Sequence, residues 1–142
     1  MLKGIPNIIS PDLLKILMEM GHGDEIIIAD GNFPGAACAQ RLVRCDGHNV
    51  PEVLAAVLKL FPLDTYSEPV TLMSVVPGDT YKPVIWDTYK KVIKDSGEPF
   101  KDFAFVDRFG FYDRAKAAYA VITTSEPALY ANIVLKKGVI KG

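Results

Sequence analysis

Few residues in this 142-residue chain combine reactive chemistry with a place that a fold can exploit. His22 stands between Gly21 and Gly23, ahead of the run Glu25-Ile26-Ile27-Ile28-Ala29, and Asp30 follows that run. An imidazole titrates near ~6.5, so His22 has the side chain to give and recover a proton at neutral pH. The flanking glycines turn the chain tightly and crowd the ring little. Arg108 follows the apolar stretch 103–106, and Tyr130-Ala131-Asn132 precedes the stretch 133–135. A carboxylate at Asp30 accepts hydrogen bonds, and Arg108 and Asn132 donate them in fixed geometry. Proton transfer on a polar ligand is the chemistry these types allow. Each has a plainer reading: a loop histidine exposed at the surface, a turn aspartate, and an arginine in an ion pair with Asp107.

The elements that must position these residues follow from periodicity. Ser10-Pro11-Asp12 starts a helix, with Ser10 as cap, Pro11 in the first turn and Asp12 at the positive end of the dipole. Leu13, Leu14, Ile16, Leu17 and Met20 share a face of it, and Gly21 ends it. The isoleucine run reads as a buried strand over Glu25–Ala29. A loop spans 31–35, then a short strand Leu42–Cys45 meets the Asp46-Gly47 turn. Asn49 caps a helix over 51–61; a strand over 69–76 ends at Pro77-Gly78. Helical spacing returns over 83–93, and 95–99 reads as a loop. A strand over 103–106, a helix over 111–118 and strands over Ala120–Thr124 and 133–135 complete the chain. Asp30 and Arg108 both follow strands, where ligands of α/β sheets lie. Alternating strands and helices predict a single α/β domain over residues 1–142, in three α/β/α layers. The last two strands lack an intervening helix, which predicts a mixed central sheet.

Composition excludes several classes. A net charge of −1 gives no electrostatic reason for nucleic acid or an anionic membrane as partner. No apolar run approaches the ~20 residues that span a bilayer, and Met1 to Ser10 lacks the pattern of a signal peptide. Cys38 and Cys45 match neither a metal motif nor a disulfide framework and read as reduced thiols of a cytoplasmic protein. Phosphate-binding loops, zinc motifs and nucleophile elbows are absent, so neither a metal nor a cofactor is expected. His48 reads as a turn residue, Trp86 as helix packing, Tyr112 as core or interface, and Tyr119 suits a buried position.

Three ordered motifs, "MGHGDEIIIAD" with "NFP", "RFGFYDRA" and "YANIVLKKGV", resemble the fucose mutarotase and D-ribose pyranase (FucU/RbsD) family. The resemblance extends from the "SPDLLKIL" helix to the terminal "KKGV". Its arginine block is closer to the fucose mutarotase branch, since a histidine tends to replace the residue matching Arg108 in the ribose branch. The resemblance implies an RbsD-like fold and cofactor-free acid–base chemistry at the anomeric centre of a free monosaccharide, L-fucose or a similar pyranose. It implies His22 as the catalytic residue, and Asp30, Arg108, Tyr130 and Asn132 as substrate-binding residues. It also implies a ring-shaped homodecamer with sites shared between protomers, His22 and Asp30 from one chain, Tyr130 and Asn132 from its neighbour. Two positions depart from the branch: Asn32 where histidine is frequent, and Ala131 where glycine is frequent. Both bear on which sugar fits. The competing readings are a ribose-type pyranase and a non-catalytic monosaccharide-binding protein.

Overall fold

The computed structural model describes residues Met1–Gly142. Helix α1 (Pro11–Glu19) begins as its sequence dictates: the Ser10 hydroxyl accepts from the Leu13 N–H at 3.1 Å, and Leu13, Ile16 and Leu17 are buried. Strand β1 (Glu25–Ala29) follows, with its isoleucines fully buried. A short helix α2 (Gly35–Cys38), not expected, begins at the last residue of the expected loop and is too brief to leave a helical period in the sequence. Strand β2 (Leu42–Cys45) leads to helix α3 (Val50–Leu58), where the Asn49 N–H donates to the Glu52 carboxylate at 2.8 Å.

Strand β3 (Val70–Met73) is shorter than expected. Its last pairing partner is Val106, and beyond Ser74 no neighbouring strand is left for Val75 and Val76. Helix α4 (Ile85–Ser96) runs into the region expected as a loop and stops at Gly97 rather than near Asp95. Strand β4 (Ala104–Val106) and helix α5 (Arg108–Ala117) are nearly contiguous. Helix α5 starts earlier than expected because the Asp107 carboxylate caps it, accepting from the Gly110 N–H at 2.7 Å. Arg108 is therefore the first residue of a helix, not part of a loop. Strands β5 (Ala120–Thr124) and β6 (Ile133–Lys136) close the chain.

The six strands lie in the order β2-β5-β1-β6-β3-β4. Strand β6 runs antiparallel to both β1 and β3, and every other pair is parallel, so the sheet is mixed as expected. Alternation along β1 sends Ile26 and Ile28 into the larger core with α1, α3 and α4. Ile27 and Ala29 go to a smaller core with Phe33 and α5. Helices thus cover both faces of the sheet, giving the three layers. The pairings Ile28↔Ile133 and Leu72↔Ile133 bring the ends of β1 and β3 to the start of β6, while Met73↔Val106 adds the end of β4. One edge of the sheet therefore gathers Asp30, Asp107-Arg108 and Asn132, and the opposite edge carries the Gly21–Gly23 turn. No helix is long and apolar enough to cross a membrane.

Candidate active site

Asp30 leaves β1 where Asn132 enters β6. The Asp30 N–H donates to Asn132 Oδ1 at 2.8 Å, and Asp30 Oδ1 accepts from the Asn32 N–H at 2.9 Å. Both side chains are buried. Because Asn132 spends its oxygen on that backbone donor, its amide NH2 is left to donate elsewhere. Burial pushes the Asp30 carboxyl above the usual carboxylate range, although N–H groups of Asn32, Phe33 and Ala131 pull it back down.

A cavity of about 250 Å³ opens over this pair, and Arg108 and Tyr130 line it as well. Four of the five expected site residues are thereby brought together. Arg108 donates from Nε to the Tyr112 hydroxyl at 3.1 Å, one helical turn on, and its terminal nitrogens have no protein partner. Tyr112 belongs to the cavity wall, a role that its place in the α5 pattern left open. The Tyr130 hydroxyl donates to Asp79 Oδ2 at 2.6 Å and accepts from the Val76 N–H at 3.3 Å. That bond, with a second from the Tyr81 N–H, holds Asp79 below the usual carboxylate range, and in return it pushes the Tyr130 phenol up. Asp79 went unrecognised in the sequence, where Pro77-Gly78-Asp79 reads only as a turn. Phe33, Met73 and Leu129 supply an apolar wall. Such a cavity, polar on one side and apolar on the other, suits a small polyhydroxylated ring. It is below the roughly 300–1,000 Å³ of pockets for larger ligands. Asn32 lines the cavity, whereas Ala131 is fully buried and does not. Of the two departures, Asn32 is the one placed to touch a ligand.

His22 lies elsewhere. It precedes β1 and Asp30 follows it, so the five residues of β1, rising ~3.3 Å each, hold them apart. The expected division of the site, with His22 and Asp30 from one chain and Tyr130 and Asn132 from its neighbour, is corrected by this register. Asp30 and Asn132 share one cavity in one chain, and His22 is the residue outside it. Gly23, at φ +88°, makes the turn that presents the ring, and its N–H donates to the Lys137 carbonyl at 2.8 Å. The half-exposed imidazole places Nε2 3.0 Å from Oδ1 of buried Asp64 and leans on the Tyr66 ring at 5.3 Å. Asp64 also accepts from the Ser67 hydroxyl at 2.8 Å and the Tyr66 N–H at 3.2 Å. Burial works to raise its carboxyl, but these bonds and His22 overcome it and hold it at about 2. Asp64 stays ionised and fixes the ring, leaving Nδ1 open to solvent. Nothing in "FPLDTYSEP" marks Asp64 as more than a turn residue. Its partner is 42 positions away.

A depression of about 820 Å³ lies along the same edge as His22. Its cations are already engaged: Arg114 binds Glu25 and Thr71, Arg41 stacks on Tyr119 at 3.8 Å, and Lys136 donates to Ser67. His48 is a half-exposed residue at the end of the turn beside Glu52, as expected. Trp86 packs on Phe105 from α4, as expected, but also donates its indole N–H to the Tyr130 carbonyl at 2.8 Å.

Residues 3–140 match the model of the RbsD / FucU transport protein family. The chain is 49% identical to a fucose mutarotase of Danio rerio, over 98% of this chain and 94% of that protein. It is 48% identical to an L-fucose mutarotase of Histophilus somni, over 98% and 97% of the two chains. It superposes with a TM-score of 0.94 on the crystal structure of the fucose mutarotase from Streptococcus pneumoniae in complex with L-fucose, at 54% identity, covering 99% of this chain and all of that one.

Proposed function

The chain belongs to the RbsD/FucU family, and from that membership we propose that it is an isomerase interconverting the anomers of free L-fucose by acid–base ring opening. The observation that carries this reading is the cavity at the sheet edge. It joins Asp30, Arg108, Tyr130 and Asn132 in a chain that superposes on a relative holding L-fucose. Ring opening removes the proton of the anomeric hydroxyl, breaks the bond from the anomeric carbon to the ring oxygen, and delivers a proton to that oxygen. Rotation of the open-chain aldehyde and reclosure give the other anomer. Every proton lost is returned, so the reaction consumes nothing and calls for no redox partner.

His22 is the proton carrier in this scheme. Asp64 takes one ring nitrogen, and the other passes the proton to and from the sugar. Asp30 accepts from sugar hydroxyls, while the Arg108 guanidinium and the Asn132 amide donate to sugar oxygens. Tyr130 closes one side of the cavity against the ring. Since His22 is a strand's length from the cavity of its own chain, the histidine serving each cavity comes from a neighbouring copy. Exposed apolar side chains support such a contact at both edges: Phe109 and Leu129 beside the cavity residues, and Tyr66 beside His22. We read the assembly as the ring-shaped homodecamer implied by the sequence resemblance. The whole chain acts as one domain in the cytoplasm, where the free thiols Cys38 and Cys45 stay reduced.

Saturation-transfer NMR on equilibrated L-fucose tests the reading. Added protein accelerates exchange between anomeric proton signals, and does so with EDTA present. No acceleration with fucose, ribose, galactose or their relatives overturns the enzyme assignment in favour of a sugar-binding protein.

A further inference from the structure

Tyr130 is the one non-glycine residue at positive φ, +56°, in the whole chain. A side chain with a Cβ resists that conformation, and tyrosine, unlike asparagine, has no short polar group to offset it locally. Such a residue persists only where its surroundings over-determine it. The Tyr130 ring is held by the Asp79 and Val76 bonds described above, and its backbone by two side chains of α4, spaced three apart on one helical face. The Trp86 indole N–H donates to the Tyr130 carbonyl at 2.8 Å, and the Tyr89 hydroxyl donates to the next carbonyl, Ala131, at 2.6 Å. Tyr89 is fully buried, so phenylalanine would fill its space equally well. The hydroxyl is tolerated there because it has this one partner. On the far side of the segment, Asn132 is bonded to the Asp30 N–H, and β6 begins at Ile133.

We propose that Trp86 and Tyr89 are positioning residues for sugar binding: by gripping consecutive carbonyls they hold Tyr130 in its left-handed conformation, which sets the Tyr130 ring and the Asn132 amide at the cavity. This rests on the sugar-binding role given above to Tyr130 and Asn132. Neither α4 residue lines the cavity. With a carbonyl released, Tyr130 relaxes toward negative φ for part of the time, and only the remaining fraction of molecules is competent to bind. Apparent affinity falls by that fraction, while the bound complex, whose proton carrier is His22, turns over as before. The signature of the grip is a raised KM at nearly constant kcat.

Trp86 is the chain's single tryptophan, which provides a reporter hydrogen-bonded to the binding segment itself. The test uses the full assembled protein with Tyr89→Phe and Trp86→Phe. Fucose exchange by NMR gives KM and kcat for each variant, and Trp86 emission gives fucose affinity for wild type and Tyr89→Phe. Deuterium uptake over residues 127–133 reads the segment without any sugar. The loss of one buried hydrogen bond predicts KM and the dissociation constant raised about tenfold. It also predicts kcat within about threefold of wild type and faster uptake over 127–133 only. Wild-type KM together with wild-type uptake in both variants overturns the proposal, as does a fall in kcat at unchanged KM. If Tyr89→Phe fails to assemble, Trp86→Phe decides by the same criteria. If neither assembles, the two residues are core packing and the proposal falls. A wild-type protein inactive on fucose sinks the functional reading alone, because uptake over 127–133 still tests the grip.

Discussion

In the proposed reaction, His22 and Asp64 divide the work of a proton carrier between a half-exposed ring and a buried carboxylate. Removing a general acid–base group costs about 10²–10⁴ in rate, so His22→Ala loses that much fucose exchange while its melting temperature stays near wild type, the ring being half solvent-exposed. A folded His22→Ala protein with near-normal exchange shows that the proton passes elsewhere. Asp64→Asn keeps the shape but exchanges an acceptor-only group for an amide that can present either N–H or oxygen to the ring. Exchange then drops about tenfold as one charge-assisted hydrogen bond is lost, and imidazole ¹⁵N shifts report a changed tautomer balance. Asp64 also contributes to stability in a pH-dependent way. Its folded value, about 2, lies below the unfolded 3.8. The native state therefore binds fewer protons, and the contribution is fully present above pH 3.8 and is lost as pH falls through about 2. Its size is of order 2 kcal/mol. Urea unfolding of wild type and Asp64→Asn at matched concentration gives a gap at pH 6 that narrows as pH falls below 3.8 and closes only below the folded value of about 2; a gap independent of pH assigns the effect to packing.

The tail of β6 is the element that assembles the histidine edge. Lys137 donates from Nζ to the carbonyls of Leu17 and Met20 at 2.8 and 2.5 Å, closing the end of α1, while its own carbonyl takes the Gly23 N–H. Gly138 then donates to the Pro62 carbonyl at 2.7 Å. A Cβ added to Gly138 would stand 2.4 Å from the Leu63 carbonyl oxygen and 2.9 Å from the Asp64 Cα. Gly138→Ala must push that backbone aside, and the strain of overpacking destabilises by about 1–3 kcal/mol. The displaced segment carries Asp64 away from His22, so exchange falls as well; a variant with wild-type melting temperature and rate shows that the segment yields freely. The motif "KKGV" marks family resemblance in the sequence, but its mechanical reason appears only in three dimensions. The same holds more widely. The Ser10 cap and the isoleucine run are local signals, and α1 and β1 follow from them directly. Helix α2 spans only four residues, too few for a period, and Asp107 before α5 is indistinguishable in sequence from a turn residue. Asp30 and Arg108 were legible because ligands lie beyond the carboxyl ends of strands in such sheets, whereas Tyr130 and Asn132, ahead of β6, were marked by the family resemblance. Asp64, Asp79 and the grip of α4 on Tyr130 depend on contacts 42 to 51 positions apart, which no local pattern encodes.

At the scale of the whole molecule, the proposed reaction gives one chain two half-sites facing opposite ways. The cavity opens at one edge of the sheet and the His22–Asp64 pair at the other, with the strands between them. In the proposed assembly, a head-to-tail contact between copies joins the cavity edge of one to the histidine edge of the next. Unlike surfaces that meet in this way generate rings when the rotation closes. Light scattering at micromolar concentration is accordingly expected to give a closed oligomer, and a monomer removes the shared site altogether. Mixing sharpens the test. His22→Ala rings lack the proton-carrying histidine at every junction and Arg108→Ala rings lack the guanidinium donor in every cavity, so each is nearly inactive below saturation. After joint unfolding and refolding, a junction is intact when an Arg108→Ala chain supplies His22 and a His22→Ala chain supplies the cavity. Each condition is met half the time, so roughly a quarter of junctions recover. Activity near a quarter of wild type is expected from two proteins that have almost none. Mixed rings, verified by mass spectrometry, that stay as inactive as their parents show that His22 and Arg108 do not meet across a junction.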